Sequence, residues 1–131
     1  MRQKKLPGEF EALIERIFQA AYTVSTVLGH GFLDSVYKKA LTEELTHTGC
    51  YVQAERAFAI IYRSKLVGTY YADLVVEDQI VVQLKTADAL TRDDSGLLLN
   101  YLRVSELPVG LLLNFSKSGV EMKRVIGPAL E

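Results

Sequence analysis

At Tyr51 the rhythm of the apolar residues changes, and this change limits the fold more than any other feature of the chain. Before it, Phe10, Leu13, Ile14, Ile17, Phe18, Ala21, Val24 and Leu28 recur at helical spacing, which predicts a helix from about residue 8 to residue 28. The glycines of "GHG" at 29–31 interrupt the pattern. Leu33, Val36, Tyr37, Ala40, Leu41 and Leu45 make the stripe of a second amphipathic helix that stops near Gly49. After Tyr51 the signals are those of strands: 52–62, a turn at "RSK", 66–76, a tight turn at "EDQ", then 80–84. A polar loop, "TADALTRDD", leads to a third helix over about 95–105, followed by a buried strand "VGLLLNF" and a closing strand "GVEMKRVIG". The order ααβββαββ, with helices bracketing a mostly antiparallel sheet, predicts an α/β or α+β core in three layers. At 131 residues the chain is expected to be a single domain spanning 1–131, with 1–7 as a flexible tail.

Charge and cysteine content narrow the class. A net charge of −1 gives no global basic field, which argues against a strong non-specific nucleic-acid binder while leaving room for a local basic groove. The single cysteine, Cys50, makes an intrachain disulfide impossible; it is expected to be a buried structural thiol in a reducing, cytoplasmic setting. The start "MRQKKLPGEF" lacks the apolar core of a signal peptide, and the apolar run near "LPVGLLLNF" is too short for a membrane span. Cys50, His30 and His47 make no zinc pattern, and no phosphate-loop or nucleophile-elbow motif is present.

The segment "DLVVEDQIVVQLKTAD" carries the chemistry. With a three-residue turn at Glu77, Asp78 and Gln79, Val76 faces Ile80 and Asp73 faces Gln83. A two-residue turn would set Asp73 against Val82, because one step of register flips every side chain to the other face. In the favoured register Asp73, Val75, Val81, Gln83 and Lys85 share one side, opposite Ala72, Leu74 and Val76. A charged pair on so apolar a strand requires a partner, a metal or a function. The bland alternative is a solvated face.

Three ordered stretches, "LGHGFLDSVYKKALTEEL", "YYADLVVEDQIVVQLKTAD" and "LLNYLRVSELPVGLLLNF", resemble the GxxExxY family of the PD-(D/E)XK nuclease superfamily, over most of the chain. The resemblance implies a restriction-endonuclease-like core, a central mixed sheet flanked by helices. It also implies a site in which Asp73 is the principal ligand of Mg2+ or Mn2+, Gln83 holds the second-ligand position and Lys85 lies on the side of the attacking water. Asp34 stands in the place of the family's helical acid and would complete the metal ligands. A hard cation preferring carboxylate oxygens suits phosphodiester hydrolysis. Four polar positions depart from the family pattern: Gln83 and Asp34 each replace a glutamate, Leu97 a common glutamine, and Ser25 a common histidine.

The resulting expectation is a divergent metal-dependent nuclease of low activity, a (deoxy)ribonuclease acting on DNA ahead of RNA. A catalytically inactive relative that binds nucleic acid or a protein is the alternative. His30, Tyr37 and Arg103 are candidate nucleic-acid contacts, as are Lys38, Lys39, Lys117, Lys123 and Arg124 at phosphates. Tyr37 can equally be a core aromatic. A homodimer is left open by analogy with the fold alone.

Overall fold

The computed structural model describes residues 6–130. Helix α1 spans Gly8–Leu28 and α2 Asp34–His47; strands β1 Val52–Tyr62, β2 Lys65–Val76 and β3 Ile80–Lys85 follow, then α3 Arg92–Ser105, β4 Val109–Ser116 and β5 Gly119–Ile126, with a closing 3-10 turn Pro128–Leu130. The strands form one mixed sheet in the order β1-β2-β3-β4-β5, antiparallel throughout except for the parallel β3–β4 pair that α3 connects. The predicted order and mixed sheet are therefore present. Of the expected tail, residues 1–5 lie outside the described residues, whereas Leu6 is packed into the core.

The helices cover the two faces of the sheet. Residues of α1 and α2, among them Ile17, Ala21, Leu41 and Leu45, pack on Leu74, Ile80, Val82, Leu111 and Leu113. Across the sheet Leu98 and Leu102 of α3 pack on Ala72, Val75, Val81 and Leu112. The α3 layer sits close because Gly110 lacks a side chain: a Cβ there would lie 2.8 Å from a Leu98 methyl. Burying both faces explains why β4 reads as a continuous apolar run with no alternation.

Three local expectations are corrected. Helix α3 begins at Arg92 instead of about 95, because Thr91 and Asp94 form a capping box that draws "RDD" out of the loop and into the first turn. Leu33 and Val36 belong to the α2 stripe by spacing, yet Leu33 is 76% exposed and Val36 lies at the rim, because α2 buries only its Tyr37–Leu41–Leu45 face. Ala72 does not share a face with Leu74 and Val76; it packs with Val75 on the α3 side. The alternation of β2 thus reverses at Asp73. In β1 it reverses at Glu55, which lies between the pairs Ala54↔Leu74 and Arg56↔Ala72 and has a left-handed backbone, φ 55°. Such a backbone costs a non-glycine residue about 1 kcal/mol or more.

Candidate functional site

The three-residue turn is confirmed by the pairs Val76↔Ile80, Val75↔Val81 and Leu74↔Val82, with Glu77 and Asp78 both at positive φ. Beyond Leu74 the backbone ladder stops and side chains take over its hydrogen bonds. The Asp73 N–H donates to Gln83 Oε1 at 3.0 Å, and Asp73 Oδ2 accepts from the Leu84 N–H at 2.9 Å. The two strands are thus stitched by the two polar residues that the sequence singles out.

Each of these side chains has a further partner. The Tyr70 hydroxyl donates to Gln83 Oε1 at 2.6 Å. Burial, and after it the Asp73 carboxylate, pushes that hydroxyl well above the usual phenol range, so it remains a donor at neutral pH. Lys38, reaching across from α2, places its Nζ 3.7 Å from Asp73 Oδ1 and ion-pairs with Glu55. On the α3 side, Lys85 Nζ lies 3.0 Å from Asp94 Oδ1. Asp34, the first residue of α2, accepts from the Thr86 hydroxyl at 2.6 Å, immediately after the end of β3. Asp73, Gln83, Lys85 and Asp34 therefore converge on one end of β3, but each side chain is engaged by a residue outside the quartet or by backbone.

The other candidates are dispersed. Tyr37 is fully buried, stacks on Phe115 with ring centroids 4.6 Å apart, and donates its hydroxyl to the Gly29 carbonyl at 2.6 Å. It pins the "GHG" loop from within the core, a correction to its placement at a nucleic-acid surface. His30 is exposed on that loop. Arg103 bonds Asn100 and lines a separate depression with Glu106 and Pro128. It lies nine residues along α3 from Asp94, about 13 Å at helical rise.

A cleft of about 280 Å³ opens on the α3 side of the sheet, walled by Tyr70, Tyr71, Gln83, Lys85, Leu97 and Tyr101. Tyr70 and Tyr101 stack within it, with centroids 3.6 Å apart and planes 8° from parallel. Leu97, half exposed, forms an apolar wall of the cleft. Asp94 and Tyr101 escaped the sequence reading, although "TRDD" is a legible capping pattern. Glu55 also escaped, and Lys38 was weighed only as a phosphate contact; no sequence signal ties either to Asp73.

The chain matches the PD-(D/E)XK nuclease superfamily over residues 11–125, which takes in all but the first turn of α1 and the last residue of β5. The chain belongs to that superfamily. As a PD-(D/E)XK domain it carries a nuclease-type architecture, and no described helix is long and apolar enough to cross a membrane. The crystal structure of SSO0001 has a similar fold, with a TM-score of 0.54 at 18% identity; the match covers 92% of this chain and 60% of that one. The present chain thus spans less than two thirds of that protein. No curated protein matches it.

PD-(D/E)XK nucleases typically use Mg2+ or Mn2+, and the donor set can be tested for fit. A hard divalent cation needs several convergent oxygens, carboxylates foremost. Among the described residues no group of three or more His, Cys, Asp or Glu side chains is arranged to hold a metal. Asp73 Oδ2 accepts from Leu84, Asp73 Oδ1 faces the Lys38 ammonium, and Gln83 Oε1 accepts two hydrogen bonds. As the side chains stand, they do not fit a divalent cation.

The capping box makes a pH prediction. The Thr91 N–H first, and then the Lys85 side chain, hold the Asp94 carboxyl below the usual carboxylate range. A folded value below the unfolded one means that the stabilisation is present above about pH 4, the ordinary aspartate value, and is lost as pH falls through the lower folded value. Asp94→Asn is expected to flatten the acid limb of the stability profile and, through a weaker acceptor for the Thr91 N–H and the lost Lys85 pair, to lower stability at neutral pH. Urea midpoints from pH 2 to 7 for both proteins check this; parallel profiles would contradict it.

Proposed function

We propose that this PD-(D/E)XK domain binds nucleic acid, with DNA the expected polymer, and that its metal-dependent cleavage of phosphodiester bonds is residual. The observation that carries the reading is the engaged state of the two hairpin side chains. Asp73 shares the Lys38 ammonium with Glu55 and is bonded to Leu84, while Gln83, uncharged, is held by Tyr70 and the Asp73 N–H. An amide in place of a carboxylate leaves out one of the charges a hard cation requires, and the Lys38 ammonium beside Asp73 repels a second cation there. Binding is supported by the superfamily architecture and by the cleft beside the hairpin, where Lys85 supplies a cation shared with Asp94 and the partly exposed Tyr101 a ring.

The test is fluorescence anisotropy with labelled single-stranded and duplex DNA and RNA, in EDTA at low salt, beside gel assays with Mn2+. The expected result is metal-independent binding that weakens as salt rises, with Lys85→Ala reducing the salt slope by about one. Multiple-turnover cleavage abolished by Asp73→Ala would overturn the residual-activity part. No affinity for any polymer at low salt would overturn the binding part.

A further inference from the structure

The Gln83 side chain is engaged at its oxygen and open at its nitrogen. Oε1 accepts from the Asp73 N–H at 3.0 Å and from the Tyr70 hydroxyl at 2.6 Å. A backbone N–H can only donate, so the amide oxygen must face it, and the orientation of the amide is fixed. Nε2 is left with two hydrogens and no hydrogen-bond partner among the described residues, and it is not sealed from solvent. Gln83 is a wall of the cleft on the α3 side, as is Lys85, two residues further along β3. The Lys85 ammonium has three donors, and Asp94, 3.0 Å away, engages one of them. Lys85 and Asp94 carry the charges of the cleft walls. Asp73 is not a wall: its carboxylate turns to the Leu84 N–H and to Lys38 of α2.

We propose that Gln83 is a phosphate donor in place of a metal ligand: its Nε2 and the Lys85 ammonium together hold one phosphate of a bound nucleic-acid strand. This assignment rests on the nucleic-acid reading of the same cleft. Residues two apart on a strand share a face and stand about 7 Å apart, a span that a phosphate with its several acceptor oxygens bridges. The open atoms suit an anion. A hard cation needs oxygens, and the one oxygen of Gln83 is already bonded twice, whereas its N–H groups and those of Lys85 are what a phosphate accepts from. Asp94 makes the amide matter more. It leaves the charges of the cleft walls balanced, so neutral donors carry a larger share of phosphate recognition than they would beside a free lysine. Contacts of this kind position a strand without reading its bases.

Proton–nitrogen correlation NMR of the isotope-labelled full chain tests it, in EDTA at low salt with a single-stranded oligothymidine as the probe. The side-chain NH2 pair of Gln83 is assigned by its absence from the Gln83→Glu spectrum. It is expected to move downfield as the strand is added and to saturate with the binding measured by fluorescence anisotropy. Gln83→Glu is expected to bind the strand about tenfold more weakly or worse in EDTA, because two donors give way to a negative charge. The variant keeps the hairpin, since a carboxylate oxygen accepts from the Asp73 N–H and the Tyr70 hydroxyl as the amide oxygen does, and unchanged far-UV circular dichroism verifies the fold. A strand that binds while the Gln83 pair stays in place, or that binds Gln83→Glu equally well, overturns the proposal and leaves the binding reading standing. No binding by the wild type overturns both.

Discussion

Asn114→Leu is expected to destabilise the protein by about 3 kcal/mol, because it removes three hydrogen bonds of about 1 kcal/mol each from one buried amide. Asn114 is the one buried polar side chain among the described residues, at 0% exposure, near the end of β4. Its Oδ1 accepts from the Ala87 N–H, while its Nδ2 donates to the Ala87 carbonyl and to Glu121, each at 2.9 Å. Leucine keeps the branch at Cγ but is bulkier, so overpacking adds to the loss of the three hydrogen bonds to Ala87 and Glu121. The consequence reaches the site. Ala87 follows Thr86, which bonds Asp34, and the same loop leads to the Thr91 cap of α3. Urea denaturation measures the stability, and amide exchange at Ala87 should accelerate with it. A loss below about 1 kcal/mol would contradict this expectation.

The second large effect is a gain. Gln83→Glu is expected to tighten Mn2+ binding at least tenfold, equivalent to about 1.4 kcal/mol. The new carboxylate would stand beside Asp73, where the Asp73 N–H now meets the amide oxygen, and two carboxylates answer the charge of a hard cation. The Tyr70 hydroxyl can still donate to the second chain oxygen, so the hairpin keeps its stitch. Calorimetry with Asp73→Ala as control measures the binding, and cleavage assays follow on the same samples. Unchanged Mn2+ affinity would assign the limit to Lys38 instead of the missing charge. Lys38→Met in the Gln83→Glu background is then the informative variant, since it removes the ammonium 3.7 Å from Asp73 while keeping the stem.

Both predictions rest on interactions that the sequence reading reached unequally. The polar hairpin was legible because its apolar neighbours fix its register. Only a three-residue turn lets Val75 and Val81 share a buried face, and that turn brings Asp73 level with Gln83. Asn114 was hidden inside "VGLLLNF", where a single amide among apolar residues gives no sign of which backbone it will satisfy. The start of α3 was misplaced for a similar reason: "TRDD" reads as loop by polarity and as a cap only when Thr91 and Asp94 are weighed as hydrogen-bonding partners.

The sequence by itself determined the order of elements, the three-layer core and the turn that aligns the hairpin. These follow from apolar periodicity, a local pattern that reports burial through the free energy of transferring side chains from water. What only the tertiary structure decided is the company each polar residue keeps. Lys38 faces Asp73 because α2 packs beside the point where Glu55 and Asp73 reverse the alternation of their strands. Tyr37 turns inward onto Phe115, and Lys85 turns to Asp94 across the gap to α3. Such choices depend on distances of a few ångströms between residues far apart in the chain, and electrostatic and hydrogen-bond energies fall away over that range. Periodicity carries no information at that scale.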